Sequence, residues 1–176
     1  PTGAVYFVSS SGDDASNGLS QEKPVKTLAR GFKLLKPGSG DWLLLRRGDT
    51  FTDQDFSSFD KSGKSATEPM LVATYGDPQA DRPLIRTGTR NGVTLLGARK
   101  NLAFVGLHFV PHTYDNKTEV KPLGVVCSGK SDARGLVLCE SQLKEAGQVE
   151  LQLQPVSIAD LVAKLKTTFE PAAAQK

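Results

Sequence analysis

Short apolar segments, separated by turn residues, dominate the middle of the chain. They are WLLLRRG (42–48), PMLVATYG (69–76), RPLIRTG (82–88), GVTLLG (92–97), NLAFVGLHF (101–109), GVVCSG (124–129) and GLVLCES (135–141). Several are continuous apolar runs, which is typical of strands that are buried on both faces or stacked in columns. No helical periodicity lies between them. The pattern therefore predicts a mainly β protein and excludes alternating strands and helices.

Two architectures fit such a series of strands. One is a β-sandwich with a packed helix, and the other is a coil of parallel strands in which each turn stacks on the one before. Asn and Gly recur at the turns, and small residues recur at the segment ends. This favours the parallel coil, and the sandwich stays as the alternative.

The amino-terminal region has a different pattern. A strand is predicted over Ala4 to Ser9, followed by a polar loop and by a helix over Pro24 to Lys36, with proline at its first position and Pro37-Gly38 beyond its end. Five apolar residues share one face of that helix at the 3.6-residue period: Val25, Leu28, Ala29, Phe32 and Leu35. Because a coil of strands exposes unpaired edges and core at its end, we expect this helix to act as a cap.

The last 35 residues depart from the central pattern. Residues 148–154 (QVELQLQ) alternate as a half-buried strand does, and residues 157–169 (SIADLVAKLKTTF) predict a helix with a capping-box pair, Ser157 and Asp160. This segment is either a carboxy-terminal cap or the product of a truncation or rearrangement that did not evolve as one. We accordingly divide the chain into residues 1–141, the cap and first coils, and residues 142–176.

The loop SGDDASNG (11–18) contains two adjacent acidic residues and an Asn-Gly pair. A calcium loop of the EF-hand type starting at Asp13 fails, because its third position is Ala15 and its twelfth is Pro24. A phosphate-binding loop fails because no lysine and no helix follow its glycines directly. The predicted role is a turn, with acidic side chains that bond to their own backbone and Asn-Gly that supplies a positive φ.

Composition limits the possible partners. The chain has 176 residues, 38% of them apolar, and a net charge of +3. Its lysines and arginines are spread along the chain rather than clustered, so nucleic acid is not an expected partner, whereas an acidic polysaccharide is compatible. No apolar run has the length of a membrane span. The two cysteines, Cys127 and Cys139, are too few for a disulfide framework, and buried thiols are favoured over a pair.

Candidate binding residues are basic side chains and histidines near strand ends. His108 and His112 are four apart, which on a strand separates them by about 13 Å, too far for one metal ion, whereas a turn after Phe109 would bring them together. Arg47-Gly48-Asp49 is explained by a strand end, and no carboxylate pair stands out as a glycosidase acid and base. The residues predicted to contact substrate are Arg47, Arg86, Lys100, His108 and His112. No catalytic residue and no metal ligand are predicted.

The order of motifs in residues 4–141 resembles right-handed parallel β-helix proteins of the pectate-lyase-like superfamily. The resemblance rests on the first strand, the loop that ends in Asn17-Gly18, the helix start PVKTL (24–28), and Gly48-Asp49-Thr50. PMLVATYGDPQADRPLIRTG, KNLAFVGLHF and GLVLCESQL resemble the coils that follow. It implies a mainly β fold: a short right-handed parallel β-helix with an amino-terminal capping helix and a carboxy-terminal helix.

The same resemblance implies a carbohydrate-related function. The superfamily includes polysaccharide lyases, glycoside hydrolases, epimerases and non-catalytic surface proteins. One hypothesis is a fragment or short relative of a lyase or glycosidase that acts on anionic polysaccharide. The other is a non-catalytic structural or carbohydrate-binding surface module. The resemblance also implies a secreted or periplasmic bacterial setting and makes calcium possible as a cofactor, although no site for it is identified. Whether the chain is an enzyme, and its oligomeric state, stay open.

Overall fold

The computed structural model describes residues 1–115, 122, 124–128, 134–139 and 142–143. In these residues there is one α-helix and a series of short β-strands. The elements are β1 Val5–Val8, α1 Leu28–Leu34, β2 Trp42–Arg46, β3 Thr50–Thr52, β4 Phe56–Phe59, β5 Met70–Tyr75, β6 Leu84–Arg86, β7 Val93–Leu96, β8 Lys100–Val105, β9 His108–Val110, β10 Val125–Ser128, β11 Arg134–Cys139 and β12 Gln142–Leu143.

Three sheets are built by strands that recur in rotation. The first sheet has the order β1-β2-β5-β8-β11, the second β3-β6-β9-β12 and the third β4-β7-β10. All strand pairings are parallel. Each turn of the chain thus adds one strand to each sheet before it returns to the first. The mainly β class is confirmed, and the arrangement is consistent with a β-helix-like solenoid rather than with the antiparallel sheets of a sandwich.

A single apolar cluster joins the three sheets and the helix. Alternate residues of several strands point into it, as Leu43 and Leu45 do in β2, because successive side chains of a strand face opposite sides. Phe59 of the third sheet lies at its centre. Its ring is 4.9 Å from the ring of Phe32 in the helix and 5.4 Å from that of Phe104 in the first sheet. These contacts fix the helix over the first turn of strands.

The helix is shorter than predicted. The spacing predicts residues 24–36, but the helix spans Leu28–Leu34, with Thr27 as its amino-terminal cap. Val25 is buried, yet it pairs with Val8 in a short parallel bridge and so lies outside the helix. Ala29, placed by the prediction on the buried face, is exposed. The assignment of Pro24 as the first helical residue is therefore wrong, because strand pairing takes the residue that follows it.

Charged side chains hold the helix at both ends. Asp14 accepts hydrogen bonds from the backbone N–H groups of Lys26 and Thr27 and from the Thr27 hydroxyl, at 2.7–2.9 Å. At the other end Lys61 donates to the carbonyls of Phe32 and Leu35 at 2.6 and 2.7 Å. Both ends carry backbone groups that lack partners within a helix, so these charges complete the hydrogen bonding of the cap.

The same contacts displace two pKa values. Burial raises the pKa of Asp14, but the hydrogen bonds from Thr27 and Lys26 outweigh it, so the pKa lies below its usual value. Burial lowers the pKa of Lys61 despite the nearby carboxylates of Asp60 and Asp41. Both side chains are half-buried.

Asp41 and Asp49 tie the cap to the first turn of strands. The Asp41 carboxylate is 2% exposed and accepts from the backbone N–H groups of Ala4 and Lys36, each at 2.9 Å. Asp49 accepts from the hydroxyl of Ser9 and the N–H of Ser10, both at 2.7 Å. Asp49 of the Arg47-Gly48-Asp49 tripeptide thus has a structural role, in agreement with the prediction that this tripeptide marks a strand end.

The loop over residues 11–18 is a turn, as predicted. Asp13 accepts from the N–H of Ala15 and Asn17 from the N–H of Leu19, so both bond to backbone two residues on. Gly18 has a φ of 70°. The prediction misses one contact, since Asp14 reaches across to the helix rather than to its own loop.

Three short strands, β3, β4 and β12, lie outside the predicted apolar segments, and one predicted segment forms two strands. Within β3 only Phe51 is buried, and a strand with a single inward residue gives no periodic signal. The segment NLAFVGLHF forms both β8 and β9, separated at Gly106, whose φ is 69°. The chain turns there from the first sheet into the second, which a left-handed glycine allows without strain.

Several predictions fall outside the described residues. The strand over 148–154 and the helix over 157–169 lie there, and the division at residue 141 stays a prediction. Cys127 and Cys139 lie on strands of two different sheets, and their pairing also stays a prediction. In the part of the chain that the structure describes, no helix has the length and apolarity required to cross a membrane.

Candidate functional site

Polar side chains gather where the loops leave the second sheet. Its strands are in register, with Thr52 beside Arg86 and Arg86 beside Val110. The segments that follow them, 53–55, 87–92 and 111–115, therefore stack on one another. We call these three segments the loop edge. Residues that are 24–37 positions apart in the sequence meet there because successive turns of the chain lie in register.

Asp53 is the most distinctive residue of the loop edge. Its φ is 57°, a left-handed conformation that costs a non-glycine residue about 1 kcal/mol. Its N–H donates to the carbonyl of Arg86 at 2.8 Å, and its carbonyl accepts from Nη2 of Arg90 at 2.7 Å. The side chain is 70% exposed. The backbone is thus held from two sides while the carboxylate faces solvent.

Arg90 and Asp55 form an ion pair beside it. Nε of Arg90 donates to Oδ2 of Asp55. The Asp55 side chain is 9% exposed and that of Arg90 is 48% exposed. A charge-assisted hydrogen bond to a buried carboxylate is stronger than a neutral one, so the pair fixes the guanidinium on the loop edge. Thr87 supports the same loop, since its hydroxyl donates to the Arg90 carbonyl at 2.7 Å.

His112 joins the third turn to the first two. Its side chain is 13% exposed, and its Nδ1 accepts from the N–H of Gly88 at 3.1 Å. An Nδ1 that accepts carries no proton, so the neutral ring holds its proton on Nε2. Nε2 lies 3.7 Å from Oδ1 of Asp53. The backbone of the second turn therefore orients an imidazole N–H toward the exposed carboxylate of the first.

The loop edge continues onto the outer face of the third sheet. Val93 and Leu95 of β7 are buried, so the intervening Thr94 faces outward. The Asn91 amide donates to the Thr94 hydroxyl at 3.3 Å. Carboxylate, guanidinium, imidazole, amide and hydroxyl groups are therefore displayed along one side of the molecule.

The five predicted binding residues lie at three different places. His112 lies in the loop edge, and Arg86 ends β6 directly before it. Arg47 lies where the chain passes from the first sheet to the second, and its Nε donates to the carbonyl of Ala80 at 2.9 Å. His108 begins β9 and so lies at the opposite end of that strand from His112, while Lys100 begins β8. A single site that uses all five does not exist in this arrangement.

Three residues of the loop edge were not predicted: Asp53, Asp55 and Arg90. The ion pair joins positions 35 residues apart, and no local motif indicates it. One signal was available, because Asp53 comes directly after a second-sheet strand, as His112 nearly does. Without β3, which the pattern did not predict, that common position could not be recognised.

A metal centre is not supported by the described residues. Among residues 1–115 and the short described stretches after them, no three His, Cys, Asp or Glu side chains lie together in a way that could hold an ion. The calcium that the family resemblance makes possible stays a prediction. The chemistry available at the loop edge is hydrogen bonding and charge.

Comparison with known proteins gives relatives that act on carbohydrates. No family model matches the chain. Over 94 residues the chain is 37% identical to a lacto-N-biosidase of Bifidobacterium longum subsp. longum, and the match covers 52% of this chain and 6% of that protein. Beyond this short segment, the sequence of the biosidase has no matched counterpart here.

Two solved structures share the fold. A lacto-N-biosidase of glycoside hydrolase family GH136 from Eubacterium ramulus superposes with a TM-score of 0.55 at 23% identity, over 77% of this chain and 27% of that one. A rhamnogalacturonan lyase superposes with a TM-score of 0.57 at 17% identity, over 79% of this chain and 36% of that one. At these identities the likeness concerns the fold. This chain spans about a quarter to a third of the length of either structure.

Proposed function

We propose that the chain is a segment of a carbohydrate-active, right-handed parallel β-helix protein, and that its loop edge binds glycan. The observation that carries the proposal is the 37% identity over 94 residues to a lacto-N-biosidase. It favours the glycosidase over the lyase within the enzyme hypothesis. The stacked parallel sheets and the fold likeness to two carbohydrate-active enzymes support the same reading.

The loop edge suits sugar hydroxyls. Carbohydrate binding depends on donors and acceptors that are already held in place, because a bound sugar replaces many hydrogen bonds to water. Arg90 and His112 are fixed by Asp55 and Gly88, and the carboxylate of Asp53 is presented on a backbone held at both ends. We propose Asp53, Arg86, Arg90 and His112 as glycan contacts. Arg47, Lys100 and His108 are not included, because they lie away from this edge.

Catalysis by these residues alone is not part of the proposal. A glycosidase needs one carboxyl group to protonate the leaving oxygen and another to act as nucleophile or base. Asp55 is buried against Arg90, which leaves Asp53 as the exposed carboxylate of the pair in residues 53–55. We therefore expect binding without turnover from this chain. The family resemblance implies a secreted or periplasmic setting.

Binding and turnover are separable in one experiment. The chain is titrated with oligosaccharides that carry lacto-N-biose, with rhamnogalacturonan fragments and with cello-oligosaccharides. Reducing ends and the ultraviolet absorbance of unsaturated products are measured in the same samples. We expect binding to at least one glycan, weakened about tenfold by Arg90→Met, and no product. Absence of binding to every glycan would refute the proposal, and an absorbing product would favour the lyase.

A second candidate function is a non-catalytic structural module. The observation that favours it is the ion pair itself, because Arg90 ties the first turn to the second through both Asp55 and the carbonyl of Asp53. If that is its whole role, Arg90→Met lowers the free energy of unfolding and the wild-type chain binds no glycan. Asp81→Asn, an exposed change at another corner, serves as the control for both measurements.

A further inference from the structure

The charge of the loop edge has a consequence for the kind of glycan it binds. We infer that the loop edge selects neutral glycans over uronate-containing ones, and that the exposed carboxylate of Asp53 decides this selection. The inference rests on the proposed function. It replaces the anionic polysaccharide expected from the sequence with a hydroxyl-rich, uncharged ligand at this edge.

The charge count of the three loops is negative. The ionisable groups on them and on the strand ends that carry them are Asp53, Asp55, Asp115, Arg86 and Arg90. Three carboxylates against two guanidinium groups leave one net negative charge. His112 adds no positive charge in this arrangement, because its Nδ1 accepts a hydrogen bond from the N–H of Gly88.

Of the two arginines counted here, Arg90 is already engaged. Nε of Arg90 bonds to the Asp55 carboxylate, and Nη2 bonds to the Asp53 carbonyl. A uronate would have to compete with a carboxylate that is nine-tenths buried and held by a charge-assisted contact. Asp53, by contrast, is 70% exposed, so its negative charge faces an approaching ligand.

A neutral sugar meets the same carboxylate as an acceptor. An ionised carboxylate only accepts hydrogen bonds, and its two oxygens can take one from each of two neighbouring hydroxyls. The neighbouring amide of Asn91 and hydroxyl of Thr94 add donors and acceptors without charge. A uronate carboxylate placed about 4 Å from Asp53 would lose roughly fivefold in affinity to repulsion even in fully aqueous surroundings.

Two ligands of matched length separate these alternatives. Binding of a neutral galacto-oligosaccharide and of an oligogalacturonate is measured by isothermal titration with the wild-type chain, with Asp53→Asn and with Asp81→Asn. Each titration is done at about 20 mM and about 200 mM salt, because repulsion between exposed charges is screened as salt rises. Circular dichroism establishes that each variant keeps its fold.

At low salt, we expect the affinity for the neutral ligand to exceed the affinity for the uronate by about fivefold or more. Asp53→Asn should weaken neutral binding about tenfold and strengthen uronate binding about fivefold. Asp81→Asn, which changes net charge equally at a distant corner, should change neither. Tighter binding of the uronate, or equal effects of the two variants, would overturn the inference alone. Failure of both ligands to bind would overturn the inference together with the proposed function.

Discussion

The cap and the loop edge use the same kinds of side chain in opposite ways. In the cap, the charges of Asp14, Asp41 and Lys61 are each bonded to two or more backbone or hydroxyl groups that would otherwise lack partners. At the loop edge, Asp53 is fixed by its backbone while its carboxylate is 70% exposed. A charge whose bonds are all internal stabilises the fold, and one that is fixed but exposed is available to a ligand.

The largest expected effect is at the buried carboxylate of the cap. Asp41→Ala removes the acceptor of two backbone N–H groups, those of Ala4 and Lys36, and leaves both unpaired near the core. We expect the free energy of unfolding to fall by about 3 kcal/mol. Urea denaturation followed by circular dichroism measures it. Asp60→Ala, an exposed neighbour of the cap, should change the value by less than about 0.5 kcal/mol. Equal changes in the free energy of unfolding for Asp41→Ala and Asp60→Ala would mean that burial of the carboxylate does not determine its contribution to stability.

A smaller loss is expected at the carboxyl end of the helix. Lys61→Met keeps the apolar stem against Phe32, whose ring centre is 4.2 Å from the ammonium, but removes the donor to two carbonyls. We expect a net decrease of about 1.5 kcal/mol in the free energy of unfolding. The loss of two hydrogen bonds is partly offset because the ammonium no longer has to be desolvated. Lys64→Met removes an exposed ion pair with Glu68 and should cost almost nothing. If both lysines gave the same result, the contact with the helix end would not be stabilising.

A pH dependence is expected at the amino end of the helix. The pKa of Asp14 is lower in the folded chain than its ordinary value, so the unfolded chain binds the proton more tightly. Its contribution to stability is therefore fully present above about pH 4 and is lost as the pH falls through the folded pKa. The difference in free energy of unfolding between the wild type and Asp14→Asn should shrink over that range. A difference that stays constant over that range would contradict the assignment.

The smallest effect on stability is expected at the loop edge, with the opposite sign. Asp53→Gly removes the cost of a left-handed non-glycine residue, and we expect the free energy of unfolding to rise by about 0.5 kcal/mol. The same variant should lose glycan binding as Asp53→Asn does. Thermal unfolding and titration on one preparation test both. A destabilised Asp53→Gly would place Asp53 with the structural carboxylates of the cap and remove the contrast between the two regions.

The sequence predicts the repeated strands better than the residues between them. Val72 and Phe104 lie in dense apolar runs, and both are buried in predicted strands. Phe51 is equally buried, but it stands alone between threonines, so β3 has no periodic pattern. The helix is overpredicted because periodicity counts Val25, whereas the backbone of Val25 is paired with Val8. The local pattern thus indicates how apolar and polar residues alternate, whereas long-range strand pairing determines where an element begins.

The site was predicted only where a residue type is conspicuous by itself. The sequence indicates Arg86 as a basic residue near a strand end and His112 as one of two histidines. His112 lies in the loop edge, and Arg86 ends the strand directly before it. Asp53 and Arg90 were not selected as binding residues, since their significance arises from stacking across two turns. Arg47 is also a basic residue near a strand end, but its Nε donates a hydrogen bond to the carbonyl of Ala80. The hydrogen-bond partner of an arginine is not encoded in its residue type.

Trp42 is the single tryptophan of the chain, and it is half-buried on β2, between β1 of the cap and β5 of the second turn. Its fluorescence therefore reports on the boundary between cap and stack, while no indole lies at the loop edge in the described residues. Emission and circular dichroism recorded through the same denaturation would coincide if cap and strands unfold as one cooperative unit. An earlier transition in emission would show that the cap detaches first. Trp42 is thus an intrinsic fluorescence probe of whether the cap and the strands unfold cooperatively.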